Sequence, residues 1–375
     1  MRSEARIDLQ AITDNTRRLD ELAGSAALMA VVKADGYGHG LVPSARAVLA
    51  GGAAWLGVAF LEEALALRAA GLDAPVLAWL FAPGEDLAPA VAARVDLGIY
   101  DEAELAAAQQ AARDTGRTAR LHLKADTGLS RGGAVPGAWP ALCEAAAKAQ
   151  ADGSVRVVGV WSHLAFADGG PDHEVNLRQA AVFAEALEVA ERAGLDPEVR
   201  HLANSAATLT APATHYDLVR PGVALYGLSP VPQLGGPADF GLRPAMTLAS
   251  TVTLTKRVPA GSGVSYQHRY VPERDTTLAL VPLGYADGVP RAGTNALPVQ
   301  LAGRRRRIAG TVCMDQFLLD VGDDEVAAGE QVLLFGPGDT GEPTAQDWAD
   351  ALGTIDYEVV TRVGIRVPRT YGTGA

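Results

Sequence analysis

The chain has 375 residues, 48% of them hydrophobic, enough for about two domains with well-formed cores. Its 44 acidic and 32 basic side chains leave a formal net charge of -12. That balance argues against nonspecific binding to nucleic acid or to an anionic membrane surface and favours a small-molecule enzyme. Cys143 and Cys313, the only cysteines, offer neither a disulfide framework nor metal-ligand spacing, in keeping with a reducing compartment. Met1-Arg2-Ser3-Glu4 runs into Ile7 and Leu9 without an apolar signal segment. No run approaches the ~18 apolar residues of a membrane span, so a cytoplasmic protein with no membrane contact is expected.

In chain order, helical periodicity over about 11–22 precedes eight apolar, strand-like runs at 28–32, 55–59, 76–80, 95–100, 120–124, 155–162, 199–202 and 218–225. Ala-rich helical stretches such as 101–113 and 173–193 lie between them. Strand-helix alternation repeated eight times predicts an α/β fold, a closed parallel (β/α)8 barrel of the TIM type, with a doubly wound open sheet as the alternative. Beyond Gly235-Gly236-Pro237 the pattern changes to short β-branched runs at 245–258, 276–282, 299–301, 308–312, 317–321 and 331–335, with one helix at 345–352. This predicts a mainly antiparallel second domain, so the expected division is 1–235 for the barrel and 236–375 for the β-rich domain. Four arginines, 304–307, read as a solvated hairpin turn with alternate side chains on opposite faces.

The chemistry gathers at strand ends. Ala30-Val31-Val32 reads as the end of a buried strand, Lys33 follows it, and Gly36, Gly38 and Gly40 permit a tight turn of positive φ before a helix that starts near Val42. A lone lysine there more often snorkels to solvent. Buried beside other cations it becomes a nucleophilic amine, suited to Schiff-base chemistry with a carbonyl cofactor, and Tyr37 lies within reach of the same pocket. Lys124 ends the fifth run, followed by a Gly-punctuated loop. Lys124 with Asp126 reads equally as a structural ion pair, whereas the Arg131 fork suits a substrate carboxylate. His163 follows the sixth run, either as a satisfied core imidazole or as a site residue. Asn204-Ser205 places a hydroxyl at a helix N-terminus, where Ser205 is a plain N-cap or part of a phosphate site completed by the backbone of Gly222 and Val223. Arg220 falls within the eighth run. In a barrel, Lys33, Lys124, His163, Asn204, Ser205 and Arg220 all fall on the face that carries active sites.

The string Ala-Val-Val-Lys-Ala-Asp-Gly-Tyr-Gly-His-Gly from Ala30 to Gly40 closely resembles the pyridoxal-phosphate lysine segment of the alanine racemase family. Further segments resemble that family in order: Leu121 to Gly133, Trp161-Ser162-His163, His201 to Ser205, Leu218 to Gly222, Gly263-Val264-Ser265-Tyr266, Gly284 to Gly288 and Cys313 to Gln316. The resemblance implies a homodimeric isomerase that interconverts L- and D-alanine with pyridoxal 5'-phosphate and supplies D-alanine for peptidoglycan. It implies no metal. Lys33 would hold the cofactor and act as one base, with Tyr266 from the partner subunit as the other. Lys124 would be N6-carboxylated and orient Arg131 toward the substrate carboxylate. His163 would hydrogen-bond the catalytic tyrosine, Arg220 would face the pyridine nitrogen, Tyr357 would join Tyr37 at the phosphate, and Tyr285 and Met314 would line the substrate pocket. The departure is Trp161-Ser162, where the family usually has a smaller polar approach. Rival readings are a racemase of another small amino acid such as serine, a barrel amino-acid decarboxylase with the same cofactor, and a non-catalytic carrier of that cofactor.

Overall fold

The computed structural model describes residues 2–372. They form two compact units that do not divide the chain at one point. Ile12–Gly36 and Leu41–Leu242 make one, and the chain before Ile12, Tyr37–Gly40 and the chain from Arg243 onward make the other. Where the sequence pattern suggested one cut at 235/236, pairing between residues hundreds of positions apart draws the N-terminal segment into the second unit. Local periodicity carries no trace of such pairing.

Strand β1 (Ser3–Asp8) opens the chain and belongs to the second unit. The first unit is a barrel of eight parallel strands: β2 (Ala27–Val31), β3 (Trp55–Phe60), β4 (Val76–Leu80), β5 (Val95–Ile99), β6 (Ala119–Lys124), β7 (Val155–Trp161), β8 (Val199–His201) and β9 (Leu218–Val219). Their hydrogen-bonded order is β8-β7-β6-β5-β4-β3-β2-β9. Two backbone bonds draw β9 toward β8 and nearly close the barrel: Asp217 N–H to the Arg200 carbonyl at 3.1 Å and Arg220 N–H to the Ala203 carbonyl at 3.0 Å. The run expected to be a strand over 218–225 is a strand only at Leu218–Val219, because the chain then turns through a 3-10 segment, Val223–Tyr226.

Helices between the strands supply the outer layer. In Glu102–Thr115, the Asp101 side chain accepts the Glu104 N–H at 2.8 Å, and Gly116, at φ 64°, ends the helix. Leu105, Ala108, Ala111 and Ala112 form its buried stripe. The strands are buried on both faces, which explains runs that are apolar without alternation.

Register decides what the barrel encloses. Met29 pairs with Trp55, Gly57 with Leu77, Leu77 with Asp96, Gly98 with His122, Lys124 with Trp161 and Trp161 with His201. Residues paired across parallel strands share a face. Met29, Trp55, Leu77, Val158 and Leu218 form an apolar cluster there, and Asp96, His122 and His201 are buried on the same face. Glycine makes room for the rings: a Cβ on Gly159 would lie 2.2 Å from His122 Nδ1, and one on Gly98 would lie 2.9 Å from Trp79 Cβ.

The second unit is mainly β. Its strands are β10 (Met246–Thr251), β11 (Leu254–Val258), β12 (Thr276–Val281), β13 (Pro298–Leu301), β14 (Arg304–Arg307), β15 (Phe317–Gly322), β16 (Gln331–Phe335) and β17 (Arg369–Gly372). With β1 they make a six-stranded sheet, β14-β13-β16-β10-β1-β17, and a three-stranded sheet, β11-β12-β15. All pairs are antiparallel except β1 with β17. The run 245–258 therefore splits between two sheets. The four arginines are an edge strand, not a turn: Arg307 pairs with Pro298 and Arg304 with Leu301, and the turn itself is Ala302-Gly303, both at positive φ. Arg304 and Arg306 reach Asp324 while Arg305 reaches Asp347, so the alternating charges blunt an exposed edge. Segment 308–312 is no strand and keeps only the Ile308–Leu319 bridge. Besides helix Ala345–Leu352 there is a second helix, Asp356–Thr361. Among the described residues no helix is long and apolar enough to cross a membrane.

The Gly159 contact gives a direct check on barrel packing. Gly159→Ala should cost about 1–3 kcal/mol because His122 has nowhere to retreat, whereas Gly137→Ala, with nothing within 4 Å of the added carbon, should leave stability unchanged or slightly raised. Thermal denaturation of both variants decides; equal midpoints would show that the barrel interior is looser than its register implies.

Candidate active site

Strand β2 leads into the segment Lys33–Tyr37, which winds left-handed, with φ of 54° at Ala34, 54° at Asp35, 62° at Gly36 and 52° at Tyr37. Glycine accounts for only part of this turn. Left-handed backbone costs a non-glycine residue about 1–2 kcal/mol, so other contacts must hold it. The Glu63 carboxylate does so from the first turn of helix Leu61–Ala69, accepting N–H groups from Ala34 at 2.6 Å, Ala59 at 2.9 Å and Phe60 at 3.2 Å. Asp35 Oδ1 accepts the Leu41 N–H at 2.7 Å, which ties the turn to helix Leu41–Ala50. Lys33 Nζ lies 5.8 Å from the Trp79 ring centroid. Burial and then the Arg131 charge lower its pKa, against an opposing pull from Glu63.

Lys124 ends β6 and stands between two rings, with Nζ 4.7 Å from the centroid of Tyr100 and 4.6 Å from that of Trp161. Burial, Arg131 and Arg220 bring its pKa down to about 8. Asp126 serves the following loop: its Oδ1 accepts N–H groups from Gly128 at 3.0 Å, Leu129 at 3.1 Å and Ser130 at 3.1 Å. This loop carries Arg131, which is exposed. A Cβ on the next residue, Gly132, would lie 3.8 Å from Lys124 Nζ, so the loop passes over the lysine.

Arg220, at the end of β9, is buried without a carboxylate partner among the described residues. Its Nη1 lies 3.1 Å from His201 Nδ1. Its Nη2 donates to the Ser162 carbonyl at 2.7 Å and the Leu202 carbonyl at 3.2 Å, and lies 3.3 Å from His163 Nδ1. Trp161 covers it, with Arg220 Cζ 5.1 Å from the ring centroid. Burial lowers the guanidinium pKa to about 9, which still leaves it charged near neutrality. His163 is pushed well below its usual range by burial first and then by Arg220, Arg131, Lys124 and Lys33. It is therefore a neutral imidazole among four cations.

The helix Ser205–Thr210 is capped by Asn204, whose Oδ1 accepts the Ala207 N–H at 3.1 Å. Ser205 is thus the first helical residue, not the cap. Its hydroxyl accepts N–H groups from Gly222 at 2.7 Å and Ala224 at 3.4 Å, which brings the serine, Gly222 and the start of Val223–Tyr226 together.

The remaining candidates lie in the second unit. Tyr37 and Tyr357 face each other with ring centroids 6.4 Å apart, and burial pushes the Tyr37 phenol far up. Tyr266 sits in a turn with Ser265, Gln267 and His268 all at positive φ. Its carbonyl accepts the Thr311 hydroxyl at 2.8 Å, and its side chain is 70% exposed. Tyr285 and Met314 are brought side by side by two backbone bonds, Tyr285 N–H to the Cys313 carbonyl and Ala286 N–H to the Met314 carbonyl, each 3.0 Å. Both side chains are exposed.

Residues 7–230 match the family described as "Alanine racemase, N-terminal domain" and residues 245–371 match "Alanine racemase, C-terminal domain". The chain belongs to the alanine racemase family. It is 66% identical to the alanine racemase of Frankia casuarinae, over 99% of this chain and 96% of that protein, and 62% identical to that of Thermobifida fusca, over 100% and 98%. It is also similar to the crystal structure of alanine racemase from D-cycloserine-producing Streptomyces lavendulae, with a TM-score of 0.98 and 53% identity over 100% of this chain and 98% of that one.

Two contributors lay outside the sequence reading's site. Glu63 is signalled only by its place three residues after Phe60, the N-cap of its helix. Trp161, noticed as a departure in pocket shape, is the ring shared by Lys124 and Arg220. Arg131 acts on both lysines as a like charge, so Arg131→Gln should raise the pKa of Lys33 and of Lys124. Competitive amine labelling of ligand-free protein across pH, read peptide by peptide, should show both labelling curves moving to higher pH. A curve that stays in place or moves lower would separate Arg131 from the lysine cluster.

Proposed function

We propose that the chain interconverts L- and D-alanine with pyridoxal phosphate as cofactor. The observation that carries this reading is the gathering of Lys33, Lys124, Arg131 and Arg220 around a neutral His163 in the barrel unit. Such a rim favours anions, and a phosphorylated cofactor with an amino-acid substrate brings a phosphate and a carboxylate.

The residues present fit that cofactor. Ser205 with the backbone of Gly222 and Val223, beside the Asn204-capped helix, suits a phosphate. Lys33, with its lowered pKa, suits a carbonyl. Arg220 can only donate, so a ring nitrogen facing it stays unprotonated. His163, already against Arg220, would hydrogen-bond the tyrosine that acts on the substrate.

Pyridoxal phosphate, when bound, supplies a carbonyl that takes up an amino group and a ring that withdraws electrons from Cα. Lys33, with its lowered pKa, would hold the cofactor and would hold and move the proton on one face of Cα. The partner subunit's Tyr266 serves the other face. Two groups are needed, because a single base confined to one face returns the same enantiomer. Arg131 grips the substrate carboxylate with its fork. Lys124, with a pKa of about 8, keeps some free amine near neutral pH, and this amine can take up carbon dioxide to become N6-carboxylysine, an anion able to steady Arg131. The partner's Tyr285 and the partner's Met314 narrow the pocket. Residues 1–235 act as the cofactor-binding part and 236–375 as the part lent to the partner, which accounts for exposed Tyr266, Tyr285 and Met314. The proposal extends to a cytoplasmic homodimer making D-alanine for peptidoglycan.

Purified protein with pyridoxal phosphate should abolish the circular dichroism of L-alanine faster than that of L-serine. Lys33→Ala and Tyr266→Phe should each lose about 10²–10⁴-fold in rate. Mixing the two inactive variants under subunit exchange should restore activity, since a heterodimer regains one intact site. No recovery despite demonstrated exchange would rule out sites shared between subunits, and preference for serine would change the substrate.

A further inference from the structure

Behind Arg220, four more side chains continue inward through the barrel. Arg220 Nη1 lies 3.1 Å from His201 Nδ1, His201 Nε2 lies 2.8 Å from His122 Nδ1, and His122 Nε2 lies 3.3 Å from Asp96 Oδ2. Asp96 is held in turn by Arg120, with Nε to Oδ1 at 2.7 Å and Nη2 to Oδ2 at 3.3 Å. Asp96, His122 and His201 are at most 1% exposed and Arg220 is 5% exposed. None of the roles assigned above uses Asp96, His122 or Arg120.

Only one arrangement of hydrogens satisfies this row. A guanidinium has no acceptor, so His201 Nδ1 must be bare and accept from Arg220. His201 then carries its proton on Nε2 and donates to His122 Nδ1, which must be bare in its turn. His122 carries its proton on Nε2 and donates to Asp96. A second proton on either imidazole would place two donors face to face, at a cost that burial makes large. Burial and the Arg220 charge also hold His201 well below its usual pKa. The rings cannot turn over freely: Trp161 stacks on His201 with centroids 5.6 Å apart and planes 6° apart, and Trp55 meets His122 edge-on at 5.4 Å and 81°.

We propose that Asp96 is a positioning residue for the reaction: across two neutral histidines of fixed tautomer, its carboxylate orients Arg220 and offsets that residue's charge. Every N–H in the row points from Arg220 toward Asp96. The carboxylate is thus coupled to the guanidinium without touching it. Arg220 keeps a fixed fork, with Nη1 committed to His201 and Nη2 to the Ser162 and Leu202 carbonyls. Reversing the His122 tautomer sets its Nδ1–H against the His201 Nε2–H, which pushes His201 out of line and with it the contact that holds Arg220 Nη1. This inference rests on the proposed function only in taking Arg220 as the residue that faces the cofactor ring.

Asp96→Asn tests it. Asn offers one acceptor oxygen, and if the Arg120 fork takes it, the amide N–H faces His122 and drives its proton to Nδ1. In Asp96→Asn/Arg120→Met that oxygen is free to accept from His122 again. Long-range proton–nitrogen NMR of cofactor-loaded, 15N-histidine-labelled protein should find both His122 and His201 protonated at Nε2 and bare at Nδ1 in the native chain. His122 should be reversed in Asp96→Asn and restored in the double variant. The racemisation kcat should fall about tenfold in Asp96→Asn and recover at least in part in the double variant, with KM for alanine nearly constant. A native spectrum with either histidine doubly protonated or protonated at Nδ1 overturns the relay, whether or not any variant folds. Tautomers that behave as described while kcat stays at the native value overturn the positioning role. If the spectra hold and the native protein does not racemise alanine, the relay stands and the proposed function fails.

Discussion

Burying a guanidinium with neutral partners alone is the constraint on which the barrel's active face depends. A buried charge costs several kcal/mol unless its donors are met, and Arg220 meets that demand with two carbonyls and two imidazoles. Each partner is fixed by the strand order. Ser162 and His163 follow β7, His201 ends β8 with Leu202 next, and Arg220 follows β9, so the nearly closed barrel seam is also where the cation is held. The backbone bond from Arg220 to Ala203 that draws β9 toward β8 also sets the direction of the side chain. Fold closure and site geometry are one arrangement here.

The other cations follow from this placement. Lys124 and Arg220 both lie against the Trp161 ring, and burial, then Arg131, then Arg220 bring the lysine pKa down to about 8. His163, against the guanidinium, stays neutral. Lys33 follows β2, the strand paired with β9, on a left-handed turn that Glu63 and Asp35 hold in place. A backbone in that conformation persists only where its surroundings over-determine it. Its placement beside a candidate catalytic lysine is the kind of strain that a functional site retains.

The barrel was legible in the sequence because strands buried on both faces leave long apolar runs and because helix-strand alternation is a local signal. The strand-end placement of Lys33, Lys124 and His163 was legible for the same reason, each closing or following such a run. What escaped was non-local. Strand β1 alternates Ser-Glu-Ala-Arg-Ile-Asp, but its partners are β10 and β17, hundreds of residues away. The arginines of β14 read as a turn because charge obscures an edge strand, where charge is in fact an advantage. Asn204 and not Ser205 caps its helix, a distinction within the one-residue uncertainty of any helix start. Asp96, His122 and His201 sit on three different strands, and only the barrel register puts them in a row.

The central claim is that two different groups, Lys33 and the partner subunit's Tyr266, handle the proton on opposite faces of Cα. Racemisation of L-alanine in deuterium oxide, sampled during the first turnovers and resolved by enantiomer, tests it most directly. The account requires D-alanine to carry solvent deuterium at Cα while unreacted L-alanine keeps its hydrogen, because the group that delivers the proton is not the one that removed it. D-alanine that retains the substrate's own hydrogen from the earliest samples would show one group working both faces and would contradict the account.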